Sequence, residues 1–167
     1  MDNREYIKGS VLKGMLTKNQ QENFEDHSTP VEITAEINHS ILITRCKNTT
    51  IRVNGKGNAI SIDNSPKTSI IIDSLVSSVD VIKCPTFALQ VLETVPTVLL
   101  DQVDGATVYF SKDSLNTEIF TSKCTSVNIY LPPETEEGDY KEESIPEQFR
   151  SYVKNGKVVT EIVEHAG

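Results

Sequence analysis

The side chains with the widest chemical reach are three thiols and two carboxylates at nearly equal intervals. Cys46 and Cys84 lie 38 positions apart and Cys84 and Cys124 lie 40 apart, while Asp63 and Asp101 are again separated by 38. Grouped thiols could ligate zinc or close a disulfide, and paired carboxylates could act as acid and base on a glycosidic bond. His27, His39 and His165 add possible metal ligands, and Gly55-Lys56-Gly57 is a short glycine turn to compare with phosphate-binding loops. None of this chemistry is available unless the chain brings those groups together.

The elements that must do so are marked by an internal period. Ile41, Ile60, Val79 and Val98 recur every 19 residues, as do Ile43, Ile62, Val81 and Leu100, and Ile51, Ile70, Leu89 and Val108. A step of 21 then leads to Ile119, Thr121, Ile129 and Leu131, with the two extra residues in the loop 111–116. Apolar residues alternate at period two within each unit, which is the strand pattern. Connections of about 7 residues are too short for crossover helices, so each unit stacks on the last. The expected fold is all-β: a right-handed parallel β-helix of about six coils beginning near Asn23, with a C-terminal β-hairpin exchanged in a dimer.

That register separates the chemical groups. Adjacent coils stand about 4.8 Å apart, so thiols two coils apart are about 9–10 Å apart, too far for a disulfide or for one zinc. Cys46, Ser65, Cys84, Val103 and Cys124 are expected to form a buried turn column. Asp63 and Asp101 face each other across Ile82 with no further acid in their column, and the histidines lack partners at metal spacing. Gly55-Lys56-Gly57 lacks the GxxxxGK[ST] spacing and a following helix, and is read as a turn. No catalytic residue, metal or cofactor is expected. The outward column Arg52, Ile71, Gln90, Tyr109, Tyr130 offers a partner surface, as do Leu42, Leu99 and Phe120 on the other face.

A length of 167 residues suits one domain, and a net charge of −8 opposes nucleic-acid binding. No apolar run is long enough to span a bilayer, the start lacks a signal-peptide core, and the odd cysteine count speaks against a disulfide framework, so a cytoplasmic location is expected. The chain divides into a lead-in (1–22), the β-helix (23–133), an acidic linker (134–144) and a terminal hairpin with its tail (145–167). Asn155-Gly156 between apolar segments signals the hairpin. Pro146, Phe149, Tyr152, Val153, Val158, Val159 and Ile162 are its candidate dimerisation residues.

Several stretches together resemble the C-terminal β-helical domain of the cyclase-associated proteins, from about Lys18 to Gly167. They are Cys46 to Ile60 (CKNTTIRVNGKGNAI), Ile62-Asp63-Asn64, Val95-Pro96-Thr97, Asp104-Gly105, Phe110 to Leu115 (FSKDSL), Ile145 to Phe149 (IPEQF) and Glu164 to Gly167 (EHAG). Asn19 to Asn23 is similar to the family's entry into its first coil. The resemblance implies a strand-exchanged homodimer that binds monomeric actin, prefers the ADP form and promotes nucleotide exchange, recycling monomers in a cytoskeletal setting. The helical domain, proline-rich segment and short actin-binding motif of longer members are not found in these residues. The actin-binding residues it implies are Arg52, Asn54, Lys56, Asn58, Asp63, Asn64, Lys67, Tyr109, Lys112, Glu164, His165, Ala166 and Gly167. Asn54 stands where the family has the first lysine of a lysine-glycine-lysine turn. The alternative is a tubulin-cofactor-like β-helix, with Arg52 completing a GTPase site.

Overall fold

The structure is a computed structural model that describes residues 30–164 and the backbone of 4–8. The expected coil start near Asn23, the entry segment Asn19–Asn23, His27, and the tail residues His165, Ala166 and Gly167 lie outside the described residues.

Strands are numbered in chain order. β1 (Arg4–Lys8), β3 (Ser40–Thr44), β5 (Ala59–Asp63), β7 (Ser78–Ile82), β9 (Thr97–Asp101) and β11 (Glu118–Ser122) stack in that order as one sheet, sheet A. The second sheet, sheet B, runs β2 (Val31–Thr34), β4 (Thr50–Gly57), β6 (Ser69–Leu75), β8 (Phe87–Thr94), β10 (Asp104–Tyr109), β12 (Thr125–Leu131) and β13 (Lys141–Ser144). Within these two sheets all pairs are parallel except β12 with β13. The register follows the 19-residue step as Ile41 faces Ile60, Ile60 faces Val79 and Val79 faces Val98, and then the 21-residue step as Val98 faces Ile119. This is a parallel β-helix.

Its core is the inward half of that pattern. Ile43, Ile51, Ile60, Ile70, Ile72, Val79, Val98, Leu100 and Val108 are fully enclosed between the sheets. β-branched side chains dominate because they pack well on a pleated surface.

The coils number about five rather than six. After β12, Pro132 and Pro133 stop the parallel path, and the chain returns antiparallel as β13 instead of crossing to sheet A. Residues 141–144, expected within a solvated linker, therefore form an edge strand. Their side chains are all exposed, and Lys141, Glu142 and Glu143 charge an edge that would otherwise invite pairing.

Each turn from sheet A to sheet B contains two left-handed residues. Arg45, Asn64, Lys83, Gln102 and Lys123 hold φ between 46° and 57°, and Asn48, Lys67, Thr86, Gly105 and Ser126 repeat the conformation three residues on. Non-glycine residues are strained there, and hydrogen bonds to the next coil offset the strain: Asn64 N–H donates to Ile82 O (3.1 Å), Lys83 N–H to Asp101 O (3.0 Å) and Lys67 N–H to Pro85 O (2.9 Å). At the last coil, where no coil follows, the Glu147 side chain accepts from Ser126 N–H instead.

The cysteine column forms as expected at Cys46, Ser65, Cys84 and Val103, all buried, and the thiols are free. Cys124 departs from it and is only half-buried, because no further coil covers it. Burial pushes the Cys46 and Cys84 pKa values up to about 11, with the Cys84 thiol adding to the effect on Cys46, and the Asp63 carboxylate adding to that on Cys84 against hydrogen bonds that lower it. The two-residue insertion becomes a 3-10 turn, Lys112–Ser114, in which the buried Ser114 hydroxyl accepts from Ser111 N–H (2.8 Å).

Among the described residues, β14 (Phe149–Lys154) and β15 (Lys157–Ile162) pair only with each other, around Asn155 (φ 52°) and Gly156 (φ 76°). Two successive positive φ values make the turn whose twist suits a hairpin.

Candidate partner-binding surface

The solenoid is flat, and the residues singled out by sequence fall on three parts of it. Arg52 and Tyr109 project from the outer face of sheet B. The register there links Glu32, Arg52, Ile71, Gln90, Tyr109, Tyr130 and Glu142 in one ladder, extending the expected column at both ends. Tyr109 and Tyr130 stack with ring centres 4.6 Å apart, and Tyr140 meets Tyr109 edge-on at 5.6 Å.

Asn54, Lys56, Asn58 and Lys112 lie on the edge where sheet B passes into sheet A. Asn58 is tied into the frame: its N–H donates to His39 O (2.8 Å) and its side-chain amide to Ser40 Oγ (3.0 Å). His39 is likewise a turn residue, with Nδ1 accepting from Glu36 N–H (3.1 Å). Lys56 and Lys112 are exposed. Asp63, the last residue of β5, lies on the opposite edge with Asn64 and Lys67. There the Asp63 carboxylate accepts from the Thr44 hydroxyl and from the Asn64 amide (3.3 Å). Glu164 is exposed beyond the hairpin. The sequence run 54–67 thus does not form one cluster.

The structure adds residues that the motif comparison missed. Arg45, Lys47, Lys83 and Lys123 join Lys67 along the same edge, all exposed and none in an ion pair among the described residues. Five of the eight cations in residues 30–133 therefore line one edge of a protein whose net charge is −8. The signal was present in the period, since Arg45, Lys83 and Lys123 follow the cysteine spacing one residue earlier.

Arg52 is not a free finger. Its Nη2 meets Asp73 Oδ1 at 2.6 Å and its Nη1 donates to Val53 O at 2.7 Å, so the guanidinium is occupied along the sheet. Partial burial opposes ionisation of Asp73, but the Gly55 N–H and the Arg52 guanidinium outweigh it and hold its pKa below the ordinary carboxylate value. Asp63 and Asp101 face Ile82 from either side, as the period requires. Among the described residues, no group of three or more His, Cys, Asp or Glu side chains is placed to share a metal ion.

The surface therefore offers an open ladder with stacked tyrosines between an edge lined by five cations and an edge that carries Lys56 and Lys112. Residues 11–165 match the family described as Adenylate cyclase associated (CAP) C terminal. The chain belongs to that family. It is 45% identical over 145 residues to the Adenylyl cyclase-associated protein of Schizosaccharomyces pombe, covering 86% of this chain and 26% of the relative. It is 37% identical over 158 residues to Adenylyl cyclase-associated protein 1 of Homo sapiens, covering 95% of this chain and 33% of the relative. The CAP chain thus spans about a quarter to a third of the length of these relatives. The solved Cyclase-Associated Protein from Cryptosporidium parvum superposes with a TM-score of 0.78 at 32% identity, covering 85% of this chain and 88% of that one. The β-helix is the fold of this CAP domain, and nothing in the geometry of Arg52 favours the GTPase-completing alternative.

Proposed function

We propose that this CAP domain binds actin monomers, prefers the ADP-bound form and promotes nucleotide exchange, working in the cytoplasm as a homodimer. The observation that carries the reading is the family match across residues 11–165, which contains the turns at 54–58 and 63–67 and the stretch 145–149. An exchange factor needs no catalytic side chain, since it only has to bind the open state of actin better than the closed one. A difference of about 1–3 kcal/mol gives a 5–150-fold effect. Exposed cations, stacked tyrosines and half-buried polar residues suit binding to an acidic protein surface. No helix among the described residues is long and apolar enough to cross a membrane.

Two features support the dimer. The β14–β15 hairpin exposes Phe149, Val153, Val158 and Ile162 and pairs with neither solenoid sheet, although an isolated hairpin is marginal in water. At the same end β13 covers sheet B, whereas β11 ends sheet A with Phe120 and Leu99 exposed beside it. A partner's hairpin laid on β11 satisfies both surfaces, and two-fold symmetry does so twice.

Release of labelled ADP or ATP from actin monomers, with and without the protein, tests the reading. Faster ADP release with tighter binding to ADP-actin is expected. Unchanged release together with absent binding to either nucleotide form would overturn it.

A further inference from the structure

The turn that carries Lys56 is built by a residue one coil away. In the β4–β6 pair, Val53 faces Ile72 and Lys56 faces Ser74, so Asn54 and Gly55 together stand opposite Asp73 alone. This is a β-bulge, which bends the strand and re-aims the side chains after it. Gly55 takes φ 87°, and a Cβ there would lie 2.7 Å from Ala35 O, so neither the conformation nor the space admits another residue.

Asp73 fills the gap left by the interrupted ladder. Its Oδ2 accepts from Gly55 N–H at 2.7 Å, and its Oδ1 meets Arg52 Nη2 at 2.6 Å. Arg52 in turn donates to the carbonyls of Val53 (2.7 Å) and Ile71 (3.4 Å), one on each strand flanking the bulge. Ala35 N–H holds Asn54 O at 2.8 Å, and Val76 N–H holds Gly57 O at 2.9 Å. Lys56 thus leaves a backbone anchored on both sides, with only its own side chain free in solvent.

We propose that Asp73, through Gly55 and Arg52, is the positioning residue that holds Lys56 in its binding direction, touching the partner neither itself nor through Arg52. This rests on the reading that the 54–58 turn meets actin, and it assigns Arg52 a role inside the protein rather than at the interface. Two charged hydrogen bonds to one carboxylate suit the task, because each is stronger than a neutral bond and together they fix direction as well as distance.

A double-mutant cycle tests it. Actin affinity is measured for the full chain, Lys56→Ala, Asp73→Ala and the double variant, with hydrogen exchange at the Gly55 amide followed in parallel. Each single substitution is expected to weaken binding about 5-fold, equivalent to about 1 kcal/mol. The double should be little worse than either single, because both remove the same contact. Gly55 should exchange faster in Asp73→Ala and unchanged in Lys56→Ala. If Asp73→Ala fails to fold, the isosteric Asp73→Asn replaces it in the same cycle with a smaller loss expected. Additive losses near 25-fold, or a normal affinity in the Asp73 variants beside a weakened Lys56→Ala, overturn the positioning role alone. An unchanged affinity for Lys56→Ala overturns it together with the assignment of this turn to actin.

Discussion

Placing a carboxylate on the exposed apolar face of the hairpin should abolish the proposed dimer while leaving the β-helix intact. Phe149, Val153, Val158 and Ile162 are 60%, 73%, 72% and 55% exposed. Full burial of such a side chain contributes about 2 kcal/mol, so covering the exposed fraction gives about 5 kcal/mol per hairpin and about 10 kcal/mol for two. New backbone bonds along β11, at about 1 kcal/mol each, add a few more. Association costs at least about 4 kcal/mol and commonly more, which leaves about −8 kcal/mol, or a dissociation constant of about 1 μM. Val153 and Val158 face each other across the hairpin one pair from its turn, so Val158→Asp puts a charge on the covered face beside its most exposed apolar pair. Losing one valine's contribution in each hairpin and burying two carboxylates should weaken the dimer at least about 100-fold. Sedimentation at tens of micromolar should then show dimer for the parent chain and monomer for the variant, with the same thermal midpoint for the solenoid. A parent chain that sediments as a monomer, or a variant that remains a dimer, would refute the exchange.

Three further outcomes follow from the same geometry. Cys46 and Cys84, buried with pKa values of about 11 against 9.0 for a free thiol, favour the fold below pH 9 and lose that contribution as pH rises from 9 through 11, by roughly 2–3 kcal/mol at most for each thiol. Denaturant titrations across that range should converge on those of the Cys46→Ala/Cys84→Ala variant, while a thiol reagent at neutral pH should label Cys124 first. Constant stability differences with pH, or rapid labelling of all three, would contradict the burial. Gly55→Ala should lower the thermal midpoint, since it combines an unfavourable φ with a contact to Ala35 O, and an unchanged midpoint would mean that the bulge relaxes freely. Removing residues 163–167 should keep the dimer but slow nucleotide exchange on actin; equal exchange rates would exclude the tail from the interface.

The period was legible because burial repeats. A side chain enclosed by coils above and below has one admissible size and polarity, so Ile41, Ile60, Val79 and Val98 carry the register openly. What failed to show were features where the backbone sets the requirement. The left-handed turn positions are filled by Arg45, Lys83 and Gln102 as well as asparagine, because hydrogen bonds to the next coil stabilise a conformation that glycine would otherwise mark. β13 was hidden by composition: its four exposed side chains show no alternation, and only the bare edge of β12 makes a strand of them. The half-burial of Cys124 reflects its place at the end of the stack, which a repeat cannot encode. The bulge at Gly55 read only as a turn, since its partner Asp73 lies in another coil.

The two lysine-bearing turns carry the last test of the partner's nature. Lys56 and Lys67 are 11 positions apart in sequence, yet β5 separates them by its full length, about 13–16 Å at about 3.3 Å per residue. No small ligand reaches both. If each contributes to binding, the partner is a macromolecule that spans the solenoid from edge to edge. The losses from Lys56→Ala and Lys67→Ala should then add, because sites more than 7–10 Å apart with no shared partner couple weakly. Rim charges act chiefly on association, so the double variant should associate more slowly, show a flatter salt dependence and keep its thermal midpoint. Additivity here and non-additivity between Lys56 and Asp73 separate a contact from the device that aims it. A double variant that binds actin as the parent chain does would remove both turns from the interface and leave the aromatic face of sheet B as the surface to probe.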